Sequence, residues 1–270
     1  MKTGKKFKKR QQDNNIALTI IVAVIFLGIL LGYKVIDTRQ NMVDTDRHTN
    51  CRVDKQFPRD TVILMDATES LSESQVVGVI NYLEDLVTDA IKYERFTLYF
   101  LNDDPETFKP QLTVCNPGDG QTLSSNNHNP KKLLKTWERS FKNPIIESAQ
   151  GLANVAPSDY SPIMEMLKFV ALRTTSKSSS LDKRIIIVSD MVEHTTAYSQ
   201  YRNPKPNFML FKDTPYFREM RPRLNDVGVH LLYIERSRLS YVQGREHVEL
   251  FWKPFIESSN GQYRSNLIIN

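Results

Sequence analysis

Cysteine is scarce in this chain, with two residues in 270, at positions 51 and 115. That number cannot build a disulfide framework or a four-thiolate zinc site, and the separation is not that of a redox C-x-x-C pair. The signatures of common enzymes are missing too. No G-x-S-x-G elbow, P-loop or G-x-G-x-x-G occurs, which removes the usual triad hydrolases and nucleotide binders. Ten glycines and 13 prolines exclude a collagenous or low-complexity chain. A basic excess is lacking once the first residues are set aside. Lys2, Lys5, Lys6, Lys8, Lys9 and Arg10, opposed only by Asp13, account for the whole net charge of +5 and leave the chain from Asn14 onward neutral. The folded part therefore carries no electrostatic footprint for nucleic acid, and no nucleic-acid partner is expected. What remains is 40% hydrophobic with 13 Phe and 11 Tyr, enough to build the core of one domain with appendages.

Long hydrophobic runs are also rare, with one exception. Residues 16–33 read IALTIIVAVIFLGILLGY without a charge. At 1.5 Å per residue, roughly 20 such residues cross the hydrocarbon core of a bilayer. A cleaved signal peptide starts alike, but YKVIDTRQ follows the run, with bulky and charged residues where a peptidase needs small ones. A retained signal anchor is expected over 14–33, with a basic cytoplasmic tail over 1–13, a linker over 34–59 and a globular domain over 60–270. The basic residues ahead of the run place the amino terminus inside. The protein is read as a single-pass protein of the cell (inner) membrane whose carboxy-terminal domain is periplasmic or extracellular. Export would put Cys51 and Cys115 in oxidising surroundings. They can form one bridge or stand as two small buried apolar residues.

Residues 61–66, TVILMD, form a short continuous apolar run that fits a strand buried on both faces. Ser72 with Gln75 three positions on makes a capping box, ahead of a helical apolar face running from Val76 to Ile91. Residues 96–101 read as another strand, 112–115 as an edge strand and 131–141 as helix. Ser161 and Pro162 form an N-cap and N1 pair before a helix carrying Ile163, Met166, Leu167 and Val170. Residues 185–189 and 229–235 are further strands, and 245–258 a last helix with Gly261 as its C′ residue. Strands alternating with helices predict an α/β fold, a doubly wound, mostly parallel sheet with helices on both faces. Ligands of such sheets sit beyond the carboxyl ends of the strands.

At those ends stand Asp66-Ala67-Thr68-Glu69-Ser70 and Asp190, with Ser161 opening the helix between them. All are hard oxygen donors, suited to Mg²⁺, Mn²⁺ or Ca²⁺ and not to zinc or copper. Asp66-x-Thr68-x-Ser70, Ser161-Pro162-Ile163 and the run IIIVSD ending at Asp190 resemble the three loops of the metal-ion-dependent adhesion site of von Willebrand factor type A domains, over roughly residues 60–270. The resemblance implies that Thr68, Ser70 and Ser161 bind a divalent cation through hydroxyls and that Asp66 and Asp190 act largely through water. It also implies that a partner's carboxylate completes the coordination shell. Glu69, an added charge, and Met191, in place of a small residue, depart from the family pattern.

The expected function is a membrane-anchored protein-binding module of the cell envelope with a cation cofactor and an unidentified protein partner. No catalytic residue is assigned. A Mg²⁺-dependent hydrolase is the rival class, but Thr68 stands where the dehalogenase-type D-x-D-x-T motif needs its second Asp. A metal-free envelope scaffold is the third reading. His194 reads as a solvated loop histidine, while His48, His128, His230 and His247 lack ligand spacing. The aromatic and Arg-rich stretch 198–223 reads equally as a partner-binding insertion and as a loop that packs on its own domain.

Overall fold

The computed structural model describes residues 21–30, 43–101, 108–120, 129–173, 175–202, 205 and 207–270. Two compact units divide it, Met1–Asp44 and Thr45–Asn270. In the first, residues 21–30 are helical with every side chain exposed. The basic tail and the remainder of the apolar run lie outside the described residues. Among the described residues no helix is long and apolar enough to cross a membrane.

The second unit is built on six strands: β1 (Arg59–Asp66), β2 (Arg95–Leu101), β3 (Leu112–Cys115), β4 (Asp182–Ser189), β5 (Gly228–Ile234) and β6 (Gln262–Ile269). They lie in the order β3-β2-β1-β4-β5-β6. All neighbours are parallel except β3, which runs antiparallel to β2 at one edge. This is the doubly wound arrangement expected. β1 is buried from its second residue onward and β4 from its fourth, because helices cover both faces and leave no side of the sheet for water there. One face packs Val62, Leu64, Ile185, Ile187 and Tyr233 against α4 (Ile163–Arg173) and the aromatic residues of the chain's last third. The other packs Ile63, Met65, Phe96 and Ile186 against α1 (Glu73–Thr88) and a helix that runs from α2 (Pro130–Trp137) into α3 (Asn143–Gln150).

Local chemistry explains most boundaries. Ser72 accepts from Gln75 N and Gln75 reaches back to Ser72 N, so the capping box forms as the sequence predicts. Two helices contain a π-helical turn, at Glu138–Lys142 before α3 and at Val248–Trp252 before α5 (Lys253–Ser258). Each turn is followed two residues on by a proline, Pro144 or Pro254. A proline inside a helix removes a donor and presses on the carbonyl four residues back, and widening the preceding turn relieves both. The last helix is thus three short pieces and not the single helix expected over 245–258. Its left-handed terminator is Asn260, at φ 59°, and not Gly261.

Tertiary context decided two points that the sequence leaves open. Strand β6 was not anticipated, because QYRSNLII is a half-exposed edge with neither a clean apolar run nor strict alternation. The described aromatic residues of stretch 198–223 pack on their own domain: Tyr198 stacks on Tyr216, and Phe208, Phe211 and Phe217 ring Phe251 and Phe255. Cys51 and Cys115 are joined in a disulfide, which packs with Phe57 and lies beside the first residue of β2. The segment from Thr45 therefore enters at the amino ends of the strands, opposite the end where the candidate ligands stand.

Candidate functional site

Strands β1 and β4 lie side by side where the winding of the sheet reverses, so the crevice beyond their carboxyl ends is the topological switch point. A cleft of about 400 Å³ opens there, and Thr68, Ser161 and Asp190 line it together with Glu69, His194, Tyr201, Arg238 and Tyr241. Three of the five residues singled out in sequence thus meet at one opening. The other two are placed differently.

Asp66 stands behind the cleft wall. Its Oδ1 accepts from the amide of Thr68 at 3.0 Å and the hydroxyl of Thr68 at 2.6 Å, and its Oδ2 accepts from Ser189 Oγ at 2.7 Å. Burial raises its carboxyl above the usual range, and these hydrogen bonds oppose the rise. Ser70 turns away from the cleft, and its hydroxyl donates to the carbonyl of Val155 at 2.7 Å. That bond uses the Ser70 proton and leaves its oxygen lone pairs free, while the residue itself is not among those lining the cleft.

Ser161 does not cap its helix. The backbone amide of Met164, in the first turn of α4, goes instead to Glu193 Oε2 at 2.9 Å. Glu193 arrives from the loop after β4, which pairs with the loop before α4 through reciprocal Ser161 and His194 backbone hydrogen bonds. Relieved of capping, Ser161 Oγ is a buried hydroxyl with no hydrogen-bond partner, on the wall of the cleft. Such orphans are uncommon in a native protein and call for a specific reason.

Asp190 is held by its backbone and by a guanidinium. Its carbonyl accepts from Gln243 Nε2 at 2.9 Å and its Oδ1 from Val192 N at 2.9 Å. The next residue, Met191, adopts φ 60°, a conformation disfavoured for a side chain of this size. It is held there by Trp252, whose indole N–H donates to the Met191 carbonyl at 2.7 Å, while the Met191 amide donates to Ser189 Oγ at 2.8 Å. The Met191 side chain is buried in the core, so the departure from a small residue is absorbed inward and leaves the cleft open. Burial, followed by the charge of Asp66, pushes the Asp190 carboxyl up to about 7. Two neighbouring carboxylates out of water both resist ionisation unless a positive charge is close.

That charge is supplied in part by a residue the sequence reading missed. Arg236 Nε lies 3.2 Å from Asp190 Oδ2 and 3.1 Å from Glu69 Oε2, while Nη1 donates to the Ser70 carbonyl at 3.1 Å. Glu69, the odd charge in the first loop, also pairs with Arg238. Arg236 follows β5 by two positions, so the strand-end rule applied to a third strand would have pointed to it. His194 is not a freely solvated histidine, since its Nδ1 meets Ser199 Oγ at 2.8 Å and its ring sits edge-on to Tyr201.

The donor set tests whether a divalent cation fits. Thr68 and Ser161 hydroxyls and the Asp190 carboxylate share one opening, and the Ser161 oxygen is unpartnered, which suits a hard cation. Among the described residues there is no group of three or more His, Cys, Asp or Glu able to hold a metal. A site of this kind draws on hydroxyls, which such a group does not count. The nearby Arg236 weighs against a cation by already opposing the Asp190 charge.

No family model matches the chain, and no curated protein matches it in sequence. Among 73 matching chains of solved structures is a three-domain amino-terminal fragment of the type V pili tip protein Mfa5 from Porphyromonas gingivalis. It is 16% identical, covers 51% of this chain and 20% of its own, and has a TM-score of 0.31. This chain thus spans about a fifth of that structure's length. Another is the conserved hypothetical protein BatB from Bacteroides thetaiotaomicron, 11% identical over 78% of this chain and 90% of its own, with a TM-score of 0.36.

Proposed function

We propose that this chain is a membrane-anchored, von Willebrand A-like module of the cell envelope. It binds an acidic group on a partner protein through a divalent cation, Mg²⁺, Mn²⁺ or Ca²⁺, held at the ends of β1 and β4. The observation that carries the proposal is the buried, unpartnered Ser161 hydroxyl, which shares the cleft with Thr68 and Asp190. Thr68, Ser161 and Asp190 would hold the cation, and Asp66 would orient the Thr68 hydroxyl through their 2.6 Å hydrogen bond. A bound cation of this type supplies a Lewis-acidic position for a carboxylate oxygen. Tyr201, Tyr241 and Arg238 line the cleft, an aromatic and cationic lining of the kind that anchors protein partners.

The anchor belongs to the same proposal. Residues 21–30 are a helix whose apolar side chains are all exposed, Phe26 by 63% and Ile29 by 64%; hydrocarbon is the solvent that suits such a surface. Within the domain itself, the segment from Thr45 lies at the amino ends of the strands and the cleft at their carboxyl ends. A strand of eight residues separates the two ends by about 26 Å.

The test is capture of the partner by the full chain in detergent, with Mg²⁺ and with EDTA, for wild type and Ser161→Ala. Binding lost on chelation and weakened by S161A supports the reading. Binding indifferent to both favours the metal-free scaffold, for which the guanidinium already beside Asp190 is the specific argument.

A further inference from the structure

Arg236 ties the loop after β1 to the loop after β4 from a third loop. Its Nη1 donates to Ser70 O at 3.1 Å, and its Nε stands between Glu69 Oε2 at 3.1 Å and Asp190 Oδ2 at 3.2 Å. The placement of Nε is unusual in one respect. It is within ion-pair reach of both carboxylates, yet it is buried and its N–H makes a hydrogen bond to neither. A guanidinium that belonged to one carboxylate would settle into the two-pronged geometry that its planar fork favours. Arg95 does so with Asp60 in this protein, through Nε and Nη2. Arg236 instead hangs between two acceptors, one on each loop, in a region where Coulomb forces act through little water.

We infer that Arg236 is a built-in competitor for the cation site, neutralising Asp190 when no divalent ion is present and passing over to Glu69 when one binds. This rests on the cation-bridged reading above and deepens it, because it assigns a purpose to Glu69, the charge that departs from the family pattern. A divalent ion at Asp190 repels a guanidinium about 3 Å from the same carboxylate, and that positive charge needs a place to go. Glu69 is already in contact and is anchored from outside by Arg238. The Ser70 carbonyl keeps hold of Nη1 in either position. The device makes cation binding weaker than the same oxygen donors would otherwise give, and it keeps Asp190 paired when the site holds no ion. An unpaired buried carboxylate would be costly.

The experiment is Mn²⁺ binding to the full chain in detergent, read as free Mn²⁺ by electron paramagnetic resonance, for wild type, Arg236→Gln and Arg236→Lys. Arg236→Gln is expected to bind Mn²⁺ at least about tenfold more tightly than wild type, since it removes a unit charge next to the ligand carboxylate. R236K keeps the charge and is expected to stay within about threefold of wild type, a distinction that a purely structural role for Arg236 would not produce. Wild type that binds Mn²⁺ with R236Q unchanged or weaker overturns the competitor while leaving the cation-bridged reading standing, as does R236K tightening as much as R236Q. No binding by any of the three at millimolar Mn²⁺ overturns both. If R236Q does not fold, a Mg²⁺ titration of wild type followed through the Arg Nε–H nuclear magnetic resonance signals decides. The signal missing from R236K must move on Mg²⁺ addition, and an unmoved signal sinks the inference.

Discussion

Glu193 accepts a 2.6 Å hydrogen bond from the hydroxyl of Tyr216 while its other oxygen takes the amide of Met164. One carboxyl group thus joins the loop after β4, the first turn of α4 and the aromatic segment of the chain's last third. It also releases the Ser161 hydroxyl to the cleft.

That group makes stability depend on pH. Burial pushes the Glu193 carboxyl up to about 8 from an ordinary 4.5. The folded state holds a proton that the unfolded chain has lost, so its stabilising contribution is complete below about 4.5, declines as pH rises and is gone above about 8. Thermal unfolding of the domain should show a midpoint that falls across this window, and Glu193→Gln should flatten the fall. A midpoint equally steep in E193Q would remove Glu193 as the cause.

The acid side is governed by His247. Its ring is buried between the Tyr233 hydroxyl and the Trp252 indole, and burial lowers it to about 3. A base depressed in this way contributes stability above its unfolded value of 6.5, which is lost as pH falls toward 3. His247→Gln is expected to be less stable at neutral pH but less sensitive to acid between these values. Chemical denaturation at pH 4 and pH 7 measures both.

Ser161 and Ser70 should behave as opposites. Ser161→Ala removes a buried hydroxyl with no partner, so stability should be unchanged or rise by up to about 1 kcal/mol, because its desolvation cost disappears. Ser70→Ala breaks the bond to Val155 O and should cost about 1 kcal/mol. Urea denaturation of the two variants makes the comparison, and a large loss in S161A would mean that its oxygen has a structural partner.

Trp252 carries the strained turn at Met191. Trp252→Ala should cost about 3 to 5 kcal/mol as a buried aromatic truncation. Trp252→Phe keeps most of the volume but leaves the Met191 carbonyl without its donor, and a loss of about 1 to 3 kcal/mol is expected. Equal stability of W252F and wild type in guanidinium denaturation would show that the indole N–H does not hold the turn.

The Cys51–Cys115 bridge closes a loop with a sequence separation of 64. Replacing both with Ser should lower unfolding free energy by roughly 4 kcal/mol, by constraining the unfolded chain less. Retention of the wild-type denaturation midpoint under strong reductant would contradict this.

The alternation of apolar strands and amphipathic helices, with caps such as Ser72 and Gln75, was legible because it depends on residues within one or two turns of each other. The same locality made Asp66, Thr68 and Asp190 readable as strand-end residues. It failed for Ser161, whose residue type favours capping, because Glu193, 32 positions on, reaches the Met164 amide first. It failed likewise for β6, an edge strand that exists because β5 offers it a partner.

By itself, the sequence determined the kind of sheet, its first and fourth strand ends, and an uncharged apolar run over residues 16–33, since hydrophobic period and chain chemistry are written residue by residue. Only the tertiary structure decided which polar atoms are shared and which are left over. Arg236 meets Ser70 across 166 positions, and Ser161 loses its capping role to a carboxylate from another loop. Those outcomes follow from folding distant segments into one crevice, where each buried donor and acceptor competes for the nearest partner in space and not for its neighbour in the chain.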